Sequence, residues 1–122
     1  MSEQSPHPAE QDCRIDYVEM ASTSIAATKR FYGAAFGWKF IDYGPEYTAF
    51  EDGRLSGGFY KAEVARAGTV LVVIFALDLE GAEERVKSAG GTLVKPIFTF
   101  PGGRRFHFAD PSGNELAVWS DR

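Results

Sequence analysis

With one cysteine, Cys13, the chain cannot form an internal disulfide, and nothing in it calls for an oxidising compartment. It also lacks the run of about 18 apolar residues that a membrane span needs. The longest apolar stretch, Val70 to Leu77, has only the length of a strand. Acidic residues outnumber basic ones, 17 to 13. The formal net charge is −4, and a pair such as Arg104-Arg105 is too small to form the clustered Lys and Arg footprint of a nucleic-acid binder. The segment Met1 to Asp12 is rich in Ser, Pro, Glu, Gln and His and has no apolar centre, so it does not read as a secretory signal. Residues 1–13 read as a flexible tail, with His7 in solvent. These absences point to a cytoplasmic globular protein with no nucleic-acid or membrane partner.

What is abundant is apolar material. The 122 residues suit one domain, here expected over 14–122, and are long enough to bury a core without a staple. Aromatic residues make up 14% of the chain and ten of them are Phe. Such rings line cores and small-molecule cavities alike.

Periodicity divides this material into elements. Ile15, Tyr17 and Glu19 alternate with Asp16, Val18 and Met20, as in a strand. Ser22, Thr23 and Ser24 offer hydroxyls to cap a helix over Ile25 to Phe36, which Gly37 ends. In that helix Ile25, Thr28, Phe31, Tyr32, Ala35 and Phe36 fall near the apolar stripe, with Lys29 and Arg30 on the wet side. Three short strands are expected next: Trp38 to Tyr43, Tyr47 to Glu51 and Leu55 to Lys61. Gly44-Pro45 and Asp52-Gly53 make the turns between them. Gly57-Gly58 inside a strand implies a bulge or a close backbone approach.

After a connection over Ala62 to Gly68 the pattern restarts. Thr69 to Leu77 reads as a buried strand. Asp78 caps a helix that runs to about Ala89 and ends at Gly90-Gly91. Thr92 to Thr99 is a strand disturbed at Pro96, so it lies at an edge or carries a bulge. Arg104 to Ala109 and Glu115 to Ser120 follow, joined by the Asp110-Pro111-Ser112-Gly113 turn. The order is βαβββ twice, an α+β chain with modules over about 14–62 and 69–120. Phe36-Gly37-Trp38 matches Ala89-Gly90-Gly91, and Phe50-Glu51-Asp52-Gly53 matches Phe108-Ala109-Asp110-Pro111, at an offset that grows from about 53 to about 58 residues.

Three motifs carry a family resemblance. Phe31-Tyr32 with Phe36-Gly37-Trp38, Asp78-Leu79 with Gly90-Gly91, and Asp110-Pro111-Ser112-Gly113-Asn114 stand in order over roughly residues 14 to 120. Together they resemble the vicinal oxygen chelate superfamily of glyoxalases, bleomycin-resistance proteins and extradiol dioxygenases. The resemblance implies two βαβββ modules forming a curved mixed sheet around a cavity, and a homodimer. Glu19 with the Phe36-Gly37-Trp38 helix end is similar to a subgroup known only as glyoxalase-related.

Metal-dependent members of that superfamily hold a divalent ion with His, Gln or Glu, which stabilises developing negative charge on substrate oxygens. The resemblance carries those ligand positions onto Tyr17, the Gly57-Gly58 pair, Leu71 and Ala117. A phenol, a glycine pair, an aliphatic chain and a methyl group cannot ligate such a cation. No cofactor is therefore expected, and a divalent metal only at a displaced site built from Glu19, His107 and Glu115.

Glu19 shares a strand face with Tyr17 and should point into the cavity as a general base or as an anchor for a polar group. Otherwise it is a carboxylate tied to a nearby Arg or Tyr hydroxyl. If Phe106 and Phe108 face the helix, His107 faces the cavity as a second catalytic candidate, or serves as a satisfied structural side chain. Tyr17, Trp38, Tyr47, Phe59 and Trp119 are candidate ligand-binding aromatics, with plain core the favoured alternative for each. Three functions fit: a glyoxalase-like protein binding a small organic molecule without the usual metal; a metal-independent or displaced-metal lyase, isomerase or dioxygenase-type enzyme using Glu19; or a dimeric module with a filled cavity. Binding stands slightly ahead of catalysis.

Overall fold

The computed structural model describes residues 6–65, 70–111 and 113–122. Among these, two sets of elements follow one another in the same order. The first is β1 (Arg14–Ser22), α1 (Ile25–Phe36), β2 (Lys39–Asp42), β3 (Tyr47–Glu51) and β4 (Ser56–Lys61). The second is β5 (Leu71–Phe75), α2 (Leu79–Ser88), β6 (Thr92–Phe100), β7 (Gly103–Ala109) and β8 (Glu115–Ser120). Within the first set the strand order is β2-β3-β4-β1, and within the second it is β6-β7-β8-β5. The topology therefore repeats. In each set the first strand pairs parallel with the last, β1 with β4 and β5 with β8, and the remaining pairs are antiparallel. The chain divides into two compact units, Tyr17–Leu71 and Val72–Arg122, the latter joined by the segment that ends at Asp16.

Local chemistry sets the element ends. Ser24 caps α1 by accepting from the Ala27 N–H, and Asp78 caps α2 by accepting from the Gly81 N–H. Gly37 closes α1 in the left-handed region at φ 73°. The Asp110 carboxylate accepts from the Asn114 backbone and side chain, while Ser112 of that turn, like the 66–68 part of the connection and Thr69, lies outside the described residues. The expected disturbance at Pro96 is present: β6 is the outermost strand of its set, and its register with β7 shifts between Leu93 and Lys95 and again between Lys95 and Phe98.

The first unit packs around aromatic rings. Trp38 lies between Tyr32 and Phe50, with centroids at 4.5 and 4.4 Å, and the buried Phe59 closes the group. Gly57 carries no side chain because the Phe50 ring and the Val18 carbonyl occupy the place of its Cβ. The expected apolar stripe of α1 is only partly used. Phe31 and Phe36 are 58% and 65% exposed, and no residue of the helix is fully buried. Neighbouring helical residues are set about 100° apart, so with Tyr32 turned to the sheet Phe31 faces away. Lys29, expected on the wet side, holds the exposed Asp42 in an ion pair at 2.8 Å.

The second unit has a core of Ala76, Leu79, Ala82, Phe106 and Val118, with Ile74, Val86, Leu93, Ile97 and Phe108 packed on it. The segment leading into β1 is anchored here, and His7 is half-buried, not free in solvent. Its Nε2 is 2.8 Å from the Asp16 carboxylate and its ring lies 4.4 Å from that of Phe75. The carboxylate and the ring give this histidine a better environment than a tail composition alone implies. The Cys13 N–H donates to the Phe75 carbonyl, and Asp12 accepts from the Leu77 N–H.

Candidate functional site

Strand alternation sorts the side chains of each unit into a helix face and an opposite face. In the first unit, Tyr17 pairs with Ser56, Glu19 with Gly58, and Tyr47 with Tyr60, so Tyr17, Glu19 and Tyr47 stand together on the face away from α1. Their polar atoms converge. The Tyr47 hydroxyl donates to Glu19 Oε2 at 2.9 Å and lies 2.6 Å from the Tyr17 hydroxyl. With its single proton committed to Glu19, Tyr47 must accept from Tyr17. The result is a directed relay from Tyr17 through Tyr47 to Glu19, in which each bond polarises the next. Burial pushes the Tyr47 phenol far above its usual value, helped by the Tyr17 hydrogen bond and the charge of Glu19, so it stays protonated and remains a donor.

Gly58 makes this convergence possible. A Cβ there would collide with the Tyr47 hydroxyl and come within 2.7 Å of the Tyr17 hydroxyl. The close approach expected at Gly57-Gly58 is therefore two approaches on opposite faces. Gly57 admits the Phe50 ring on the helix side, and Gly58 admits the phenols on the other. Trp38 and Phe59, two of the candidate ligand-binding aromatics, fall on the helix side with Phe50 and Tyr32. Parity explains the correction for Phe59, which follows Gly58 directly and so points the opposite way. The structure does not bring these two together with Tyr17, Tyr47 and Glu19.

In the second unit Phe106 and Phe108 do face α2, so His107 points to the opposite face, across from Ala117. It is only 4% exposed. Its Nδ1 is 3.0 Å from Glu115, its ring stacks 5.8 Å from that of Phe98, and its buried Nε2 has no hydrogen-bond partner among the described residues. Trp119 shares this face. Its Nε1 donates to Asp16 at 3.0 Å and its ring meets the edge of Phe75. Asp16, Phe98 and Arg105 escaped the sequence reading. The signal for the last two was the two-residue spacing of Phe98 and Phe100 opposite Arg105, whose guanidinium lies 5.6 and 5.5 Å from the two ring centres. An apolar hollow of about 260 Å³ lies on the other side, against α2. Cys13 and Arg85 are among its lining residues, and the Arg85 guanidinium lies 3.7 Å from the Cys13 sulfur.

The His107 imidazole is held below its ordinary value, chiefly by burial and further by the positive charges of Arg105 and Lys95, against an opposing pull from Glu115. The unfolded chain therefore binds the proton first. The neutral ring's contribution to stability is complete above the ordinary value of 6.5 and is lost as pH falls from there toward the lower folded value. We expect the melting midpoint to drop on acidification through this window by more in the parent than in His107→Phe. Calorimetry of the two at equal ionic strength checks it; parallel curves would remove His107 from the acid response.

The positions at which the resemblance would place metal ligands do not fit a divalent cation. The Tyr17 hydroxyl is bonded to Tyr47, Gly57 and Gly58 have no side chain, Leu71 has no donor atom, and Ala117 presents a buried methyl group. Among the described residues no three His, Cys, Asp or Glu side chains gather as metal ligands would.

Comparison with known proteins agrees with the fold. Residues 14–118 match the family described as the Glyoxalase/Bleomycin resistance protein/Dioxygenase superfamily. The anthracycline biosynthesis protein DauV of Streptomyces sp. (strain C5) is 30% identical over 124 residues, covering 84% of this chain and 45% of its own length. The chain thus spans about half the length of the curated relatives it matches. Among solved structures, the Mn(II)-bound glyoxalase from Novosphingobium aromaticivorans superposes with a TM-score of 0.68 at 21% identity, over 90% of this chain and 39% of that one. A superfamily member from Vibrio splendidus 12B01 superposes with a TM-score of 0.67 at 14% identity, over 87% and 97%. At these identities the two structures speak for the fold alone.

Proposed function

Because the chain belongs to the Glyoxalase/Bleomycin resistance protein/Dioxygenase superfamily, we propose that it binds a small oxygenated organic molecule on the sheet face of its first unit, without the divalent ion of metal-dependent members. The Tyr17–Tyr47–Glu19 relay carries this reading. A carboxylate whose partners on this chain include a phenol can accept from a ligand hydroxyl as well, and hydrogen bonds to charged groups are worth about 1.5–3 kcal/mol. A relative named for anthracycline biosynthesis favours an aromatic, oxygen-rich ligand. The homodimer and the cytoplasmic setting expected from the sequence belong to the same proposal.

The test is a thermal-shift and calorimetric screen with hydroxylated anthraquinones and simpler phenols, comparing the parent with Glu19→Gln and Tyr47→Phe. The expected result is a ligand-induced rise in the parent melting midpoint and an affinity about tenfold or more weaker in Glu19→Gln. Equal affinity in parent and variant, or no binder in the screen, sinks the reading. Metal analysis of the purified protein is its companion, since stoichiometric Zn²⁺, Ni²⁺, Mn²⁺ or Fe²⁺ would reverse the claim of metal independence.

The second reading makes Glu19 a general base, favoured by the protonated Tyr47 held against it. Turnover of a bound compound that disappears in Glu19→Gln while binding persists would select it.

A further inference from the structure

The second unit holds a polar atom that its own chain leaves unanswered. His107 is buried on the face away from α2, flanked by Ala117 and stacked on Phe98. Its Nδ1 lies 3.0 Å from the Glu115 carboxylate, which can only accept. That contact places the ring proton on Nδ1 and leaves Nε2 with a bare lone pair. Nε2 is buried and has no donor within reach among the described residues. A buried acceptor left unpaired costs about 1–3 kcal/mol, so such atoms are normally met by something. The surroundings say what suits it. Phe98 and Phe100 form an aromatic shelf with the Arg105 guanidinium over both rings, and Trp119 lies beside Phe100. A flat ring bearing a hydroxyl matches both features, the ring against the shelf and the O–H toward the lone pair.

We propose that His107, oriented by Glu115, is a binding residue that accepts a hydrogen bond from the hydroxyl of a phenol-type ligand lying on the Phe98–Phe100 shelf. The carboxylate acts as a positioning group. It fixes the tautomer, and without it either nitrogen could carry the proton. This site shares no residue with the Tyr17–Tyr47–Glu19 relay and does not depend on it.

The probe is 4-fluorophenol at neutral pH, followed by its fluorine resonance together with nitrogen NMR of the labelled protein. The chain has two histidines, so His107→Phe leaves only His7 and assigns the spectrum directly. The expected free-state pattern is a protonated Nδ1 and an unprotonated Nε2. On addition of the probe the Nε2 resonance should move by several ppm. His107→Phe should weaken probe binding at least tenfold. Glu115→Gln, whose amide can either donate or accept, should mix the tautomers and weaken binding, while Phe31→Ala, at an exposed position of α1, should leave it unchanged. If His107→Phe does not fold, the tautomer pattern and the Glu115→Gln titration still decide the matter. A proton found on Nε2 in the free protein, an Nε2 resonance indifferent to the probe, or undiminished binding in His107→Phe would overturn the proposal. Loss of binding in Glu19→Gln alone would assign the probe to the relay instead and overturn it equally.

Discussion

Gly57→Ala is expected to destabilise the protein by about 3 kcal/mol or more, while Gly58→Ala leaves it folded but disarms the candidate site. The two glycines are adjacent and meet different obstacles. A Cβ on Gly57 would strike the Phe50 ring and the Val18 carbonyl. The carbonyl belongs to the neighbouring strand of the same ladder, and the ring is wedged against Trp38, so neither can withdraw cheaply. Moving the carbonyl would break the parallel pairing of β1 with β4. A Cβ on Gly58 would strike the hydroxyl ends of Tyr47 and Tyr17. A tyrosine tip can swing away by rotation about χ1 and χ2, and in doing so it abandons Glu19. Urea unfolding should show a large loss of midpoint for Gly57→Ala and a modest one for Gly58→Ala. Ligand titration should show the second variant at least about tenfold weaker than the parent. Equal stability losses would mean that the two faces are not as distinct as the strand parity makes them.

Phe106→Ala is the second large effect. Phe106 is fully buried at the centre of the second core, among Leu79, Ala82 and Val118. Removing a buried phenyl group leaves a cavity and costs about 3–5 kcal/mol. In a domain of this size that lowers the melting midpoint by more than about 10 °C. Phe31→Ala is the control, because that ring is 58% exposed and touches only Tyr32 and Phe36 among its aromatic neighbours. Its expected cost is about 0.5 kcal/mol or less. Calorimetry of the pair separates a phenylalanine that builds a core from one that merely belongs to a recognisable motif. A comparable cost for both would refute the burial argument.

The contrast also marks what could be read in advance. Helix and strand positions followed from local signals that tertiary contacts did not override: a serine and an aspartate at the two N-caps, Gly37 in the left-handed region, Pro96 where the register of β6 slips. The doubled βαβββ order was legible for the same reason. Side-chain direction was legible where a strand had a clean alternation, which is why Tyr17, Glu19 and Tyr47 fall on one face and His107 points away from Phe106 and Phe108. It was not legible for Trp38 or Phe59. An aromatic residue satisfies either face, and only the pairing of Gly57 with Val18 and of Gly58 with Glu19 decides between them. His7 was misread because its partners, Asp16 and the rings of Phe75 and Trp119, are brought to it by the fold and not by proximity in sequence. The Glu115 contact to His107 has the same origin: the two residues lie on adjacent antiparallel strands, and only the register shows that they meet.

The irregular outer strand of the second unit has a bearing on solubility. A regular outermost strand offers a row of amide donors and carbonyl acceptors onto which a foreign polypeptide can zip, the first step toward fibrils. In β6, Pro96 removes one donor, and two slips of register break the rhythm on either side of Lys95. An incoming chain would find no long uninterrupted template there, so the same irregularity that shifts the register also guards the molecule against polymerising through it.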